Sequence, residues 1–139
     1  MAILAATPYL ILPGKAQEAI RLYERALGAK VQTITRFGDM DGSCPEALRD
    51  RVMHAELKVG DGLVMLSEGS SEDRPGGGAG AVSVALGLND TDETRRSFEG
   101  LAASGKVIQP LFDSPWGSLF GVVQDQFGVA WMFDCAKKK

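Results

Sequence analysis

The feature that most constrains this chain is an internal repeat, in which a strand, a helix and three further strands occur twice. The first copy opens with the apolar run 8–12, stopped by Pro13-Gly14, and continues with a helical stripe over 16–29. The second copy opens with the apolar run 82–88, and capping and acidic residues then begin a helix within 89–107. The repeat predicts two modules of one fold.

Three strand-like segments follow each helix. In the first half they are 30–37, 52–59 and 63–68, with a turn at 60–62; in the second half they are 106–112, 118–124 and 129–134, with a turn at 125–128. Each half is therefore predicted to be βαβββ. We predict module one at 1–68, a glycine-rich linker at 69–81 and module two at 82–139, together forming one structural domain.

The composition narrows the class of protein. With 139 residues, 45% hydrophobic and 24% charged, the chain resembles an ordinary globular domain. Its net charge of −3 argues against a nucleic-acid partner, because few cations are available to neutralise phosphates. The apolar start is short and lacks a basic flank, which favours a strand over a signal peptide or a membrane span. Cys44 and Cys135 match no metal spacing. We expect a cytoplasmic protein with reduced thiols.

Four segments carry a resemblance to a known family: 18–31, 52–68, 101–107 and 115–133. Together they resemble the vicinal oxygen chelate superfamily, which includes glyoxalase I, bleomycin-resistance proteins and extradiol dioxygenases, and in particular its PhnB-like branch. The resemblance implies an α+β fold in which two tandem βαβββ modules form an open eight-stranded mixed-sheet half-barrel with a central cleft.

The resemblance also implies four positions for the ligands of a divalent metal. Placed through the internal repeat, with Gly62 aligned to Gly128, these positions hold Pro8, Leu66, Ser83 and Met132. None of the four is His, Glu or Asp, the side chains that such ions prefer. We therefore expect no metal at the inherited positions and no other cofactor.

His54 is the only histidine, and Glu56 leaves the same face of the predicted strand 52–59. A turn centred near Asp61 would pair Glu56 with Leu66 and His54 with Glu68 across the hairpin. The same alternation sends Phe120, Val122 and Met132 to the cleft side of module two. The predicted ligand-binding cleft comprises Tyr9, His54, Glu56, Leu66, Glu68, Ser83, Trp116, Phe120, Val122 and Met132.

Several interpretations of these residues stay open. His54 and Glu56 are a catalytic acid–base pair, a mutually hydrogen-bonded pair lining the cleft, or plain surface. Tyr9 is a cleft phenol or a core residue, and Trp116 covers the cleft or packs in the core or a dimer interface. The acidic segment 36–50 is a flap over the cleft or an interface loop.

Three functions compete. The first, which we favour, is binding of a small, partly apolar molecule in the cleft with the inherited metal site lost. The second is a small-molecule enzyme of lyase, isomerase or transferase type, in which His54 and Glu56 act as an acid–base pair or as ligands of a relocated divalent metal. The third is a dimeric interaction module without a ligand. Open sheet edges predict a homodimer in each case.

Overall fold

The computed structural model of the protein describes residues 4–39, 49–68 and 82–136. The chain separates into two compact units, Met1–Gly76 and Gly77–Lys139. The predicted linker 69–81 and residues 40–48 of the predicted flap lie outside the described residues. None of the helices within the described ranges has the length and apolar character needed to cross a membrane.

Unit one is a four-stranded sheet with one long helix. Its elements are β1 (Tyr9–Ile11), α1 (Ala16–Leu27), β2 (Lys30–Arg36), a single 3-10 turn (Phe37–Asp39), β3 (Val52–Val59) and β4 (Gly62–Ser67). The strand order is β1-β4-β3-β2. β1 runs parallel to β4, and the other neighbours are antiparallel.

Unit two repeats this plan. Its elements are β5 (Val84–Leu88), α2 (Thr91–Ala102), β6 (Lys106–Asp113), β7 (Ser118–Gln124) and β8 (Ala130–Ala136). The order β5-β8-β7-β6, with β5 parallel to β8, matches that of unit one. Both helices have 12 residues, and their starts lie 75 positions apart in the sequence. The predicted α+β fold of two βαβββ modules is confirmed.

The helix ends follow from local chemistry. Gly28 ends α1 with a left-handed φ of 69°, and the N–H of Ala29 bonds the carbonyl of Tyr23 at 3.2 Å. Asp90 begins α2, and its carboxylate accepts a 2.9 Å hydrogen bond from the N–H of Glu93. Both termini lie where the sequence predicts them.

Each helix covers one face of its sheet. In unit one, Ala55, Leu57 and Leu66 are fully buried on the face that packs with α1. In unit two, Phe98 of α2 packs edge-on against Phe133, with ring centroids 5.3 Å apart. Fully burying an aromatic or a large aliphatic side chain contributes about 1.5–3 kcal/mol, so these faces supply most of the stabilisation. The face of each sheet away from its helix is called the open face below.

The turn between β7 and β8 is built around one buried carboxylate. Asp125 is 3% exposed. Its Oδ1 accepts from the N–H groups of Phe127 and Val129, and its Oδ2 accepts a 2.9 Å bond from Nε1 of Trp131. Trp131 is fully buried, so this bond satisfies an indole N–H that water cannot reach. Asp125 therefore ties the turn to the core of unit two.

Candidate functional site

The β3–β4 hairpin differs from its predicted register by one residue. Ala55 pairs with Leu66 and Glu56 pairs with Met65, because the loop has only two residues, Gly60 and Asp61. Gly60 has a φ of 59°, the positive value that the first position of a type II′ turn requires. The sequence instead predicts a three-residue turn, 60–62, centred on Asp61, which gives the different register. A slip of one residue moves every side chain of a strand to the other face.

Two residues that the sequence predicts in the cleft therefore lie elsewhere. Leu66 shares the helix-covered face with Ala55 and is fully buried in the core. Glu68 does not pair with His54: it lies opposite Val52, whose N–H donates a 2.7 Å bond to Glu68 Oε2 and whose carbonyl accepts from the Glu68 N–H. Glu68 is 6% exposed and holds backbone at the start of β3.

The open face of unit one carries a chain of three hydrogen-bonded side chains. The hydroxyl of Tyr9 lies 2.9 Å from Nδ1 of His54, and Nε2 of His54 lies 3.0 Å from Oε2 of Glu56. Tyr9 stands on the edge strand β1, and its ring is tilted against the imidazole at a centroid distance of 5.5 Å. The structure thus brings together three residues that the sequence analysis names. Tyr9 comes from β1, His54 and Glu56 come from β3, and β4 lies between these two strands.

These contacts orient the imidazole. A carboxylate can only accept, so Nε2 of His54 carries the hydrogen that faces Glu56. In the neutral ring Nδ1 is then the acceptor, and the Tyr9 hydroxyl donates to it. The Tyr9 oxygen therefore ends a polar chain that begins at the Glu56 carboxylate. The side chains of His54 and Glu56 are 29% and 34% exposed, so a small molecule can reach them.

Apolar side chains surround this polar chain on the same face. Ile11 follows Tyr9 two residues later on β1 and is 48% exposed. Met65 lies directly opposite Glu56, and Leu63 opposite Lys58. On the other side of β3, Thr35 pairs with His54. The open face of unit one therefore combines a few oriented polar groups with accessible apolar surface, as small-molecule sites do.

The open face of unit two is mainly apolar. Phe120, Val122 and Met132 lie on it, as the strand alternation predicts, while Phe133 points to α2. Trp116 packs edge-on against Phe120 at 5.4 Å and against Phe112 at 6.5 Å. Trp116 is neither a core residue nor fully covered, since it is 62% exposed. Ser83 is exposed and precedes β5.

The turn that carries Trp116 is internally bonded. The N–H of Gly117 donates to the carbonyl of Ser114 at 3.1 Å, closing a turn with Pro115 at its second position. Ser114 and Ser118 are buried and bonded to each other through both backbone and side chains. The indole is therefore presented from a well-connected loop.

Phe112 is a member of this aromatic group that the sequence reading missed. Register shifts in β6 fall between Val107 and Gln109 and between Gln109 and Phe112, so Lys106, Gln109 and Phe112 share one face. Plain alternation would place Gln109 and Phe112 on opposite faces. Pro110, which cannot donate to a ladder, marks the second irregularity and is the one signal that could have warned of it.

That the metal positions implied by the resemblance do not suit a divalent ion stays a prediction. Leu66 and Met132, which the prediction treats as equivalent, differ in the structure: Leu66 lies on the helix-covered face of its sheet and Met132 on the open face. Pro8 and Leu66 have no side-chain donor, and Leu66 is packed in the core of unit one. Ser83 and Met132 offer only a hydroxyl and a thioether. Among residues 4–39, 49–68 and 82–136, no three or more His, Cys, Asp or Glu side chains are grouped so that they could hold a metal.

A duplicated βαβββ fold, with oriented polar groups on one open sheet face and aromatic groups on another, defines a protein of the glyoxalase and bleomycin-resistance class. Residues 6–133 match the Glyoxalase/Bleomycin resistance protein/Dioxygenase superfamily, and the chain belongs to that family.

Similar proteins lie in several bacteria. The chain is 30% identical over 145 residues to protein YjdN of Escherichia coli K12, with 96% of each chain covered. It superposes on protein PA1353 from Pseudomonas aeruginosa with a TM-score of 0.83 at 34% identity, covering 98% of this chain and 100% of that one. The PhnB protein from Bacillus cereus gives a TM-score of 0.78 at 25% identity, covering 96% and 100%. The PhnB-like resemblance is thus confirmed.

Proposed function

We propose that this member of the superfamily binds a small, partly apolar organic molecule and that His54 and Glu56 hold its polar part. The observation that carries the proposal is the Tyr9–His54–Glu56 hydrogen-bond chain on an accessible sheet face. Apolar neighbours such as Ile11 and Met65 would supply affinity, while the oriented polar groups would supply specificity. The central cleft that the resemblance implies stays a prediction, as does the cytoplasmic location.

Neighbouring polar side chains on a sheet surface also pair without any ligand. Two features favour a binding role over that simpler interpretation. The imidazole is engaged at both nitrogens, which fixes its orientation, and the Tyr9 phenol that completes the chain comes from a different strand two positions away across the sheet. A preorganised polar group is what a selective site requires, because a freely rotating one loses entropy when it binds.

The test is a thermal-shift screen with a panel of phenols, aryl carboxylic acids and aryl amides, each paired with the analogue that lacks the polar group. We expect some polar compounds, but not their analogues, to raise the melting temperature of the wild type. His54→Ala should abolish these shifts. Lys58→Ala, which removes an exposed side chain further along the same face of β3, is the matched control and should retain them.

The proposal fails if no polar compound shifts the melting temperature, or if the shifts survive both His54→Ala and Glu56→Gln. Circular dichroism of each variant checks that the fold is kept. The side chains of His54 and Glu56 are both partly exposed, so these substitutions should leave the sheet intact.

A second candidate function, small-molecule catalysis, is favoured by the same chain of contacts. A phenol backed by an imidazole and a carboxylate can exchange a proton with a bound molecule, Tyr9 being the exposed end. The metal-dependent form of this candidate has two prospective ligands here, His54 and Glu56. Elemental analysis of the purified protein tests that form: a stoichiometric divalent ion that His54→Ala removes would support it.

We further propose that the protein is a homodimer. β2 and β6 each form one of the two edges of their sheet, and both expose large apolar residues: Val31, Ile34, Val107 and Ile108. Exposed apolar edges are usually covered in folded proteins, and pairing with a second copy covers them. Sedimentation equilibrium should give twice the mass of the 14.8 kDa chain, and Ile108→Lys should shift it towards the monomer.

A further inference from the structure

One row of residues crosses the whole sheet of unit two on its open face. Phe112 of β6 pairs with Phe120 of β7, Phe120 pairs with Asp134 of β8, and Asp134 pairs with Gly87 of β5. Directly paired residues share a face, with Cβ atoms about 5 Å apart. An aromatic pair, a carboxylate and a glycine therefore follow one another across four strands.

The aromatic end of this row is a cluster of three rings. Phe112, Trp116 and Phe120 contact one another edge-on, with centroid distances of 5.4 to 6.5 Å. Phe112 is 37% exposed and Trp116 is 62% exposed. Aromatic faces carry negative potential, and they attract a cation placed within about 6 Å of the centroid.

The carboxylate beside the cluster is available. Asp134 is exposed, and it forms no side-chain hydrogen bond or ion pair with any other residue that the structure describes. Within residues 82–136, the nearest basic residue on this face of the sheet is Lys106. It pairs with Gln124, four residues along β7 from Phe120, which corresponds to about 13 Å at the usual rise of a strand. Among the residues of this face that the structure describes, the carboxylate of Asp134 thus has no basic side chain beside it.

The far end of the row leaves room for a ligand. A Cβ atom built on Gly87 would have no heavy atom within 4 Å, which means open space above the backbone. Ala85, two residues earlier on β5, pairs with Met132 and is also small and exposed. On the open face, Asp134 therefore has the large rings of the aromatic cluster on one side and the small residues Gly87 and Ala85 on the other.

We infer that this row binds an organic cation with a flat apolar body. The body would lie against Phe120 and Trp116, and the positive charge would be shared by the ring faces and the carboxylate of Asp134. An anionic ligand would be repelled by Asp134, and a neutral one would leave its charge unused. The inference goes beyond the proposed function: it concerns a second face, in unit two, and specifies the charge of the ligand that this face binds.

The test is isothermal titration calorimetry at pH 8 with the 1-methylquinolinium cation and with quinoline, its neutral counterpart. We expect the wild type to bind the cation about three- to fivefold more tightly than quinoline, the range of a solvent-exposed cation–π and carboxylate contact. Asp134→Asn should lower the affinity for the cation towards that for quinoline, because only the contact with the aromatic rings then remains, and it should leave quinoline binding unchanged. Trp116→Leu should weaken both.

Matched variants separate binding from folding. Asp92→Asn removes a carboxylate of α2, the helix on the other face of the sheet, and should change neither affinity. Gly87→Ala should keep binding, whereas Gly87→Leu should fill the space beside Asp134 and abolish it. Equal affinities for the two probes, or a cation affinity that Asp134→Asn leaves unchanged, would refute the charge preference while leaving the proposed small-molecule binding intact. If neither probe binds, the row is not a binding site, and the thermal-shift screen alone then decides the proposed function.

Discussion

The hydrogen bond between Asp125 and Trp131 offers a quantitative test of how unit two is held together. Oδ2 of Asp125 accepts from the fully buried indole, while Oδ1 accepts from two backbone N–H groups of the turn. Asp125→Asn keeps the shape of the side chain but replaces one acceptor oxygen with an NH₂ group. Whichever way the amide turns, at least one N–H loses its acceptor.

The expected loss follows from that orphaned group. Leaving a buried donor unsatisfied costs about 1–3 kcal/mol, and bonds to a charged acceptor lie in the upper part of that range. We therefore expect Asp125→Asn to lower the free energy of unfolding by about 2–3 kcal/mol. Asp134→Asn makes the same chemical change at an exposed position and should stay within about 0.5 kcal/mol of wild type.

The assay is urea unfolding followed by circular dichroism, carried out as a double-mutant cycle with Trp131→Phe. Once the indole N–H is gone, the amide can point its NH₂ towards the ring without a clash of donors. Asp125→Asn should then cost at least about 1 kcal/mol less than in the wild type. A coupling energy within about 0.3 kcal/mol of zero would show that the bond does not contribute as described.

Three further predictions concern stability and can be measured by the same unfolding assay. Gly121→Ala should destabilise by about 1–3 kcal/mol, because its Cβ would lie 2.9 Å from Cδ2 of Leu111, 3.0 Å from the backbone oxygen of Gln109 and 3.0 Å from Cε2 of Phe98; a neutral result would mean that both β6 and α2 yield at these contacts. Gly28→Ala should cost about 1 kcal/mol at its φ of 69°, where no atom blocks a Cβ and only the backbone conformation opposes it. Asp90→Ala should cost about 1 kcal/mol by removing the cap on the Glu93 N–H, and Asp90→Asn should recover most of it. If Asp90→Asn were as unstable as Asp90→Ala, the capping bond would not be the cause.

Much of the fold could be read from local patterns. The helices at 16–27 and 91–102 follow from apolar spacing together with Gly28 and Asp90 at their ends. The strand β3 was predicted with its observed bounds, as was β7. These features depend on residues close together in the chain, so their physical causes are all visible in a short window of sequence.

The candidate site was only partly predictable. His54 and Glu56 share a face because they are two residues apart on one strand, which sequence alone specifies. Tyr9 and His54 are 45 positions apart in the chain, and their contact depends on β1 lying beside β4. No local pattern contains that pairing. Leu66 and Glu68 were misplaced because one loop residue decides which face a strand presents.

The division between the two sources of information has one physical basis. Periodicity and capping are short-range properties, and they determined the number, type and order of the elements and the duplication itself. Strand register and bulges determine the rest. They decide which face of the sheet each side chain of β4 occupies, and they bring Phe112 next to Trp116 and Phe120. They also place Asp134 between an aromatic ring and a glycine. Register is settled only when turns, bulges and packing are satisfied together, and therefore only the tertiary structure decided which side chains meet.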